Sequence, residues 1–264
     1  MIWNVNPVAF TVSLGGYHWP VYWYGLFFAS NVVYGTLIFR WLYAKAGKPD
    51  DNVYDLILAL VLGTVIGARL GHVLIYNPAY YLSHPWKILF VWEGGLSSHG
   101  AVIGILLAVY LYARWRPDQS FLWICDRIGM AVPFSGLLIR TGNFFNSEIL
   151  GTPTDVPWGI VFSRVDLLPR HPVQLYEALS YLLIFVVQFR FYLKHQDNLP
   201  LGALFGRFFA LVFGARFLME FFKEGQAAYE AGWSLTMGQY LSIPAVVAGC
   251  ALIAWSYRHF PSKA

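Results

Sequence analysis

The sequence predicts an all-α integral membrane protein, and three observations support that class. Only 12% of the 264 residues are charged, whereas a soluble domain has about 25%. Hydrophobic residues make up 58% of the chain, and the mean hydropathy is +0.52. Apolar stretches recur along the chain, each long enough to cross roughly 30 Å of hydrocarbon as a helix. So much apolar surface requires lipid as the solvent, and a helix satisfies its own backbone hydrogen bonds there.

Seven such stretches are predicted to be transmembrane helices, near residues 21–43, 54–76, 98–115, 121–139, 173–193, 200–222 and 237–257. The alternation typical of a β-barrel is not visible, so we expect no strands. No internal repeat appears, so residues 1–264 are interpreted as one membrane-embedded domain. Glycines spaced four apart, such as Gly63, Gly67 and Gly71, are typical of closely packed helices.

The loop charges predict the orientation of these helices. Arg40, Lys45 and Lys48 follow the first stretch, and Arg258 and Lys263 follow the seventh, whereas no Lys or Arg precedes the first. The positive-inside rule then places the N-terminus outside the cytoplasm and the C-terminus inside. A small loop region is expected on the outer side. The net charge of +4 is dispersed, so nucleic acid is not an expected partner.

Several ionisable residues lie inside the apolar stretches, where each costs about 2.5–3.5 kcal/mol. Asp126, Arg127 and Arg207 are expected to pair with other helices or to extend toward the interface. Arg69 is open to two interpretations, a structural ion pair with Glu177 or Asp126 and a contact with a ligand.

The remaining polar groups map to the outer half of the protein. Arg216 and Glu220 are four residues apart on one helical face, which also suits a simple salt bridge. Glu177 and His171 lie where the fifth stretch begins, and His99 begins the third. An apolar chamber with an arginine cluster suits an anionic amphiphile with a phosphate head.

The stretch RTGNFFNSEILG, residues 140–151, adds Arg140, Asn143, Asn146 and Glu148 to this side. Gly142 and the asparagines predict a broken or re-entrant segment that lines a cavity. In that interpretation Asn143 and Asn146 satisfy the freed backbone groups, and Arg140 is held for an anion. The alternative is an interfacial loop anchored by its two phenylalanines.

Motifs throughout the chain resemble those of the prolipoprotein diacylglyceryl transferases of bacteria. They are WYGL at 23–26, GARLGHVLIYN at 67–77, WEGGLSSHG at 92–100, RTGNFFNSEILG at 140–151, PRHPVQLYE at 169–177, ARFLMEFFK at 215–223 and MGQYLSIP at 237–244. One departure is Lys223, which stands where some members have an arginine.

The resemblance implies a seven-helix enzyme of the bacterial inner membrane. It would transfer the diacylglyceryl group of phosphatidylglycerol to the lipobox cysteine of a preprolipoprotein and release glycerol 1-phosphate. No metal or redox cofactor is implied. The functional residues of the family correspond to Tyr24, His99, Arg140, Asn143, Glu148, Arg216 and Glu220.

These matches suggest roles. Arg140 would grip the lipid phosphate, and Arg216, oriented by Glu220, would stabilise the leaving group. His99 is a candidate general base, although it could instead bind the head group or brace its turn. Tyr24 would orient the head group or be an interfacial belt residue, and Asn143 and Glu148 would support the segment. Asn146, Arg69, Glu177 and His171 complete the predicted substrate-binding set.

The rival class is a transporter or channel for an anionic or amphiphilic solute, since intramembrane Arg and Glu and broken helices occur there too. The polar residues lie on one side, however, and no inverted repeat is visible. A retinal-type receptor is a weaker rival, because the last stretch has no lysine for a Schiff base.

Overall fold

Long helices carry most of the chain in the computed structural model, which describes residues 1–225 and 234–260. They are α1 (Trp23–Lys45), α2 (Asp50–Gly71), α4 (Ser98–Trp115), α5 (Phe121–Asn146), α6 (Val173–His195), α7 (Ala203–Met219) and α8 (Met237–His259). A short helix, α3 (Pro78–Ser83), lies between α2 and α4 in the sequence. Each long helix falls on one predicted apolar stretch, which confirms a mostly helical fold.

Five helices among the described residues are long and apolar enough to cross a membrane, namely α1, α2 with the π-helical turn His72–Tyr76, α5, α6 and α8. The apolar helix α4 is shorter, and α7 has 17 residues before the 3-10 turn Glu220–Phe222. The chain is therefore a multi-pass membrane protein. Lys263, used above for the orientation, lies outside the described residues.

The expectation that the chain has no strands was wrong, because short strands lie outside the long helices. Strands β2 (Val8–Leu14) and β3 (Tyr17–Tyr22) form an antiparallel hairpin that leads directly into α1. Gly15 and Gly16 adopt φ angles of 58° and 82° at its turn, a conformation that favours glycine. Apolar residues recur at every second position along both strands, but the strands are too few and too short to resemble a barrel.

A second sheet packs on the end of α5. Its strands are β1 (Ile2–Trp3), β4 (Ile160–Phe162) and β5 (Pro169–Arg170), in the order β1-β4-β5. The Phe144 ring lies 4.3 Å from that of Trp3 and 5.7 Å from that of Phe162, between ring centroids. Phe144 packs in a buried protein core, so it does not anchor an interfacial loop as the alternative interpretation supposed.

The prediction that Gly142 and the asparagines interrupt the helix was wrong, because α5 continues through Gly142 to Asn146. A Cβ atom at Gly142 would lie 3.0 Å from a ring carbon of Tyr24, so this glycine permits the close approach of α1. The chain leaves the helix one turn later, where Ser147 and Ile149 adopt φ angles of 56° and 57°. The irregular segment therefore follows Arg140 and both asparagines.

The chain forms two compact units, one of residues 1–35 and 126–264 and one of residues 36–125. In the second unit α2 packs on α4 through glycine. A Cβ atom at Gly67 would collide with the Gly100 carbonyl oxygen and lie 2.7 Å from the Cα of Gly104. Contact between backbones at these positions explains the four-residue spacing of the glycines.

We expect Gly67→Ala to destabilise the protein by about 1–3 kcal/mol, because the added methyl group meets backbone atoms that cannot move aside. Thermal unfolding in detergent micelles measures the effect. The matched control is Gly35→Ala, since a Cβ atom there meets nothing within 4 Å. Equal unfolding temperatures for the two variants would show that the glycines are not packing residues.

Candidate active site

Five ionisable side chains in the first unit form a continuous chain of alternating charge. The Nε atom of Arg140 lies 2.7 Å from one carboxylate oxygen of Glu177, and Lys223 Nζ lies 2.9 Å from the other. Lys223 Nζ also lies 2.7 Å from Oε1 of Glu220, and Arg216 Nε lies 3.7 Å from that same oxygen. The order is therefore Arg140, Glu177, Lys223, Glu220 and Arg216.

These residues come from separate parts of the sequence. Arg140 lies near the end of α5 and Glu177 in the second turn of α6, whereas Arg216 lies in the last turn of α7. Glu220 begins the 3-10 turn after α7, and Lys223 follows that turn. The fold thus brings three helix ends together around two carboxylates.

The side chains of this ion chain are mostly buried except at the end formed by Arg216, which is partly exposed. The side chains of Glu177, Lys223, Glu220 and Arg140 are 0%, 4%, 9% and 13% exposed, whereas that of Arg216 is 37% exposed. Charges buried this deeply persist only when paired, and removing one partner costs about 3–5 kcal/mol. Three cations face two carboxylates among these five side chains, and the carboxylate of Glu148 lies beyond Asn143 from Arg140. Arg216 is the most exposed cation of the five, so it is the one most accessible to an anion.

A hydrogen-bonded group holds Arg140 from the other side. Asn143 Oδ1 accepts from an Nη atom of Arg140 at 3.2 Å, and its Nδ2 donates to the Glu148 carboxylate at 3.1 Å. Asn146 Nδ2 donates to the second oxygen of Glu148 at 3.0 Å. The asparagines thus bind a side chain, which corrects the expectation that they satisfy freed backbone groups. Gln174 Nε2 donates to the Glu148 carbonyl oxygen at 2.6 Å and fixes the irregular segment.

Two tyrosines border this group. Tyr24, the second residue of α1, is half-buried against Gly142 and within electrostatic range of Arg140 and Glu148. Tyr181, one turn beyond Glu177 on α6, is buried and interacts with Arg140. Both phenol groups therefore lie close to the guanidinium group of Arg140.

Glu220 is held by the start of α8. The Thr236 hydroxyl donates to Glu220 Oε2 at 3.3 Å. A Cβ atom at Gly238 would collide with the Glu220 carboxylate, so a larger residue there would displace that carboxylate. The motif MGQYLSIP therefore supports the carboxylate that pairs with Arg216 and Lys223.

Arg170 ties together the segments that surround the site. Its guanidinium group donates to the Asp166 carboxylate, to the Gly151 carbonyl oxygen at 3.0 Å and to Glu224 at 3.0 Å. The hydrogen bonds from Arg170 hold the pKa of the Asp166 carboxyl below its ordinary value. Arg170 is therefore a structural clamp that joins the segments containing Gly151, Asp166 and Glu224.

His171 occupies an aromatic environment beside this clamp. Its Nδ1 atom lies 3.2 Å from the Tyr176 hydroxyl, and its ring packs edge-on against Phe222, with centroids 5.1 Å apart. Its backbone N–H donates to the Thr152 carbonyl at 3.1 Å. Contacts of this kind position the segment next to Glu220.

Asp126 and Arg207 have partners in the first unit, as expected. Asp126 accepts a hydrogen bond from the backbone N–H of Gly202 at 2.8 Å, just before α7 begins. Arg207 Nε donates to Gln188 Oε1 at 3.1 Å, and its guanidinium group lies 3.9 Å from the centroid of the Phe191 ring. Packing between helices accounts for both.

Arg69 and His99 belong to the second unit. The guanidinium group of Arg69 is buried and donates to backbone carbonyls of one loop, those of Lys87, Ile88 (2.8 Å), Gly94 (2.6 Å) and Gly95 (3.1 Å). Carbonyl contacts thus take the place of the ion pair with Glu177 or Asp126, which was one of the two interpretations of Arg69. His99 is exposed in the first turn of α4, which Ser97 caps by accepting from Gly100 N–H at 3.3 Å. Arg69 therefore holds the loop that leads to His99.

Sequence reasoning did not include Lys223 among the site residues, although it connects the two carboxylates. Its spacing of three from Glu220 was a usable signal, since residues three apart share a helical face. The contact with Glu177 had no signal, because 46 positions separate the two residues.

Comparison with known proteins places this chain in a family. A family model described as prolipoprotein diacylglyceryl transferase matches residues 7–255. A phosphatidylglycerol–prolipoprotein diacylglyceryl transferase of Tolumonas auensis is 48% identical over 258 residues, which cover 98% of each chain. The enzyme of the same name from Chloroherpeton thalassium is 49% identical over 98% of this chain and 95% of its own. The Bacteroides fragilis protein of that name is 36% identical over 94% of this chain and 92% of its own. The chain belongs to the prolipoprotein diacylglyceryl transferase family.

Proposed function

We propose that this protein transfers the diacylglyceryl group of phosphatidylglycerol to the thiol of a lipobox cysteine in a preprolipoprotein. Glycerol 1-phosphate is the second product, and the reaction is the first step of lipoprotein maturation. The observation that carries the proposal is 48% identity to a transferase of this name across 98% of both chains. The buried ion chain supports it, because its most exposed cation, Arg216, suits a lipid phosphate.

The two arginines bind the phosphodiester in this proposal. Arg140 grips the phosphate with the N–H groups that its contacts with Glu177 and Asn143 leave available. Arg216 lies at the accessible end of the ion chain and makes a loose contact of 3.7 Å with Glu220, so its guanidinium fork can turn to an anion. Guanidinium groups suit this task because they donate to two phosphate oxygens at once.

The reaction is a nucleophilic displacement at the glyceryl carbon of the lipid. The peptide sulfur forms a bond to that carbon as the carbon–oxygen bond to the phosphate breaks, and the electron pair leaves with the phosphate. Arg216 and Arg140 stabilise the charge that develops on the departing oxygen. The substrate supplies the thiol, so Cys125 and Cys250, which form no disulfide, have no part in the chemistry.

The other predicted residues assist these steps. A thiol with a pKa near 8.5 must lose its proton, and His99 is the proposed base. Tyr24 orients the head group beside Arg140. Asn143, Asn146 and Glu148 keep Arg140 in place, and Glu177 and His171 support the site from α6 and the segment before it. Arg69 contributes by holding the loop in front of His99.

We also propose how the protein lies in the membrane. The chain acts as one domain of the bacterial inner membrane, with α4 and α7 completing seven spans. The N-terminus is periplasmic, the C-terminus is cytoplasmic, and the site opens toward the periplasm, where preprolipoproteins present their lipobox. Phosphatidylglycerol, lipobox peptides and membrane lipid are the partners, and neither a cofactor nor nucleic acid takes part.

A reconstituted assay tests the function. Purified protein in detergent micelles, given phosphatidylglycerol and a lipobox peptide, should release glycerol phosphate and yield a thioether-linked peptide. Arg140→Ala should abolish both products, because the protein loses a guanidinium group that binds the lipid phosphate. A peptide with serine in place of cysteine is the matched control and should not react. Solute movement across sealed vesicles without glycerol phosphate release would instead identify a transporter.

Arg216→Lys tests whether the guanidinium fork is required. The lysine keeps the charge but loses bidentate donation, so we expect kcat to fall by about 10²-fold. The control is Arg207→Lys on the same helix, whose contacts with Gln188 and Phe191 are structural. Full activity of Arg216→Lys would mean that a point charge suffices.

His99→Gln tests the general base. If His99 takes the thiol proton, the variant loses the acidic limb of the pH–rate profile and its rate falls by about 10²–10⁴-fold. The control is His84→Gln, a partly buried histidine that contacts Ser83 and Tyr80. An unaltered pH–rate profile in His99→Gln would remove His99 from this role.

A further inference from the structure

We infer that Lys223 is the positioning residue that keeps Arg140 and Arg216 available to the lipid phosphate. The inference rests on the proposed function and adds a residue to it. Lys223 acts through the two carboxylates and does not itself touch the substrate. Its side chain is only 4% exposed, so an anion of the size of a lipid head group has no access to it.

The ammonium group of Lys223 is shared by two buried carboxylates. It lies 2.9 Å from Glu177 and 2.7 Å from Glu220. Each carboxylate holds one arginine, Glu177 at 2.7 Å and Glu220 at 3.7 Å. Lys223 is thus the only link in this ion chain between the half that contains Arg140 and the half that contains Arg216.

The oxygen atoms used at Glu220 explain how Lys223 keeps Arg216 free. Both Lys223 and Arg216 approach the same oxygen, Oε1, but Lys223 is 1 Å closer, at 2.7 Å against 3.7 Å. The second oxygen, Oε2, accepts from Thr236. Because Lys223 and Thr236 occupy the carboxylate, Arg216 is oriented by Glu220 without being neutralised by a tight pair.

Loss of the Lys223 charge changes this balance in two ways. The ion chain loses one positive charge. The freed oxygen of Glu220 can then pair closely with Arg216 and compete with the phosphate. Both effects weaken the binding of an anionic lipid, so loss of the Lys223 charge should mainly raise KM for phosphatidylglycerol.

The backbone of Lys223 is fixed as firmly as its side chain. Lys223 forms an isolated β-bridge with Gly151. Neighbouring backbone bonds run from Thr152 N–H to the Phe222 carbonyl at 2.9 Å and from Glu224 N–H to the Leu150 carbonyl at 3.1 Å. The segment after α5 and the segment after α7 are therefore joined where Lys223 projects between the carboxylates.

A double-mutant cycle tests the inference. In the assay of the proposed function, Lys223→Met should raise KM for phosphatidylglycerol by about tenfold or more, as expected for loss of a buried charge partner. Lys223→Arg keeps the charge and should stay within about threefold of the parent. In a Glu220→Gln background the further effect of Lys223→Met should be several-fold smaller than in the parent, because the competing carboxylate is gone and only the loss of one charge remains.

The controls separate the possible failures. An inactive parent protein would overturn the proposed function itself, whereas an active parent with an unchanged KM in Lys223→Met would overturn only the role of Lys223. An equal tenfold rise in both backgrounds would also overturn it, because coupling to Glu220 would be absent. If Lys223→Met does not fold, Lys223→Met/Glu220→Gln is compared with Glu220→Gln, and a tenfold higher KM in the double variant contradicts the inference.

Discussion

The full burial of the Glu177 carboxylate is the constraint on which the site depends. A carboxylate with 0% side-chain exposure persists as an anion only if cations reach it. Arg140 from α5 and Lys223 from the segment after α7 supply them. Because those cations come from distant parts of the sequence, pairing them correctly requires the ends of α5 and α7 to meet the start of α6. The ion pairs and the helix packing therefore reinforce one another.

The segments around these ion pairs are held by backbone contacts and by a clamp outside the helices. The isolated β-bridge between Gly151 and Lys223 joins the end of α5 to the end of α7. Arg170 binds the Gly151 carbonyl oxygen and the side chains of Asp166 and Glu224. Phe144 anchors the last turn of α5 in the core of the β1-β4-β5 sheet. Rigid support of this kind holds the surroundings of the two arginines in one geometry.

Hydropathy predicted every long helix because backbone polar groups in lipid must be hydrogen-bonded within the spanning segment. The resemblance to a known family pointed to Arg140, Arg216 and Glu220. The β2–β3 hairpin was missed because its alternation covers only residues 8–22, although Gly15 and Gly16 mark its turn. The end of α5 was misplaced because Gly142 was interpreted as a helix breaker, whereas it serves the approach of Tyr24. The role of Lys223 depends on Glu177, a partner 46 residues away, which no local pattern reveals.

The distribution of lysine and arginine along the ion chain has a physical logic. Lysine carries a compact charge with three rotatable donors, which suits a position between two carboxylates. Arginine carries a planar fork that spreads its donors, which suits a cation that must hold one carboxylate and still face a phosphate. Lys223 occupies the buried centre, and Arg140 and Arg216 occupy the two ends. The chemistry of each side chain thus matches its place, with the bridging charge inside and, in the proposed function, the guanidinium groups at the two ends binding the lipid phosphate.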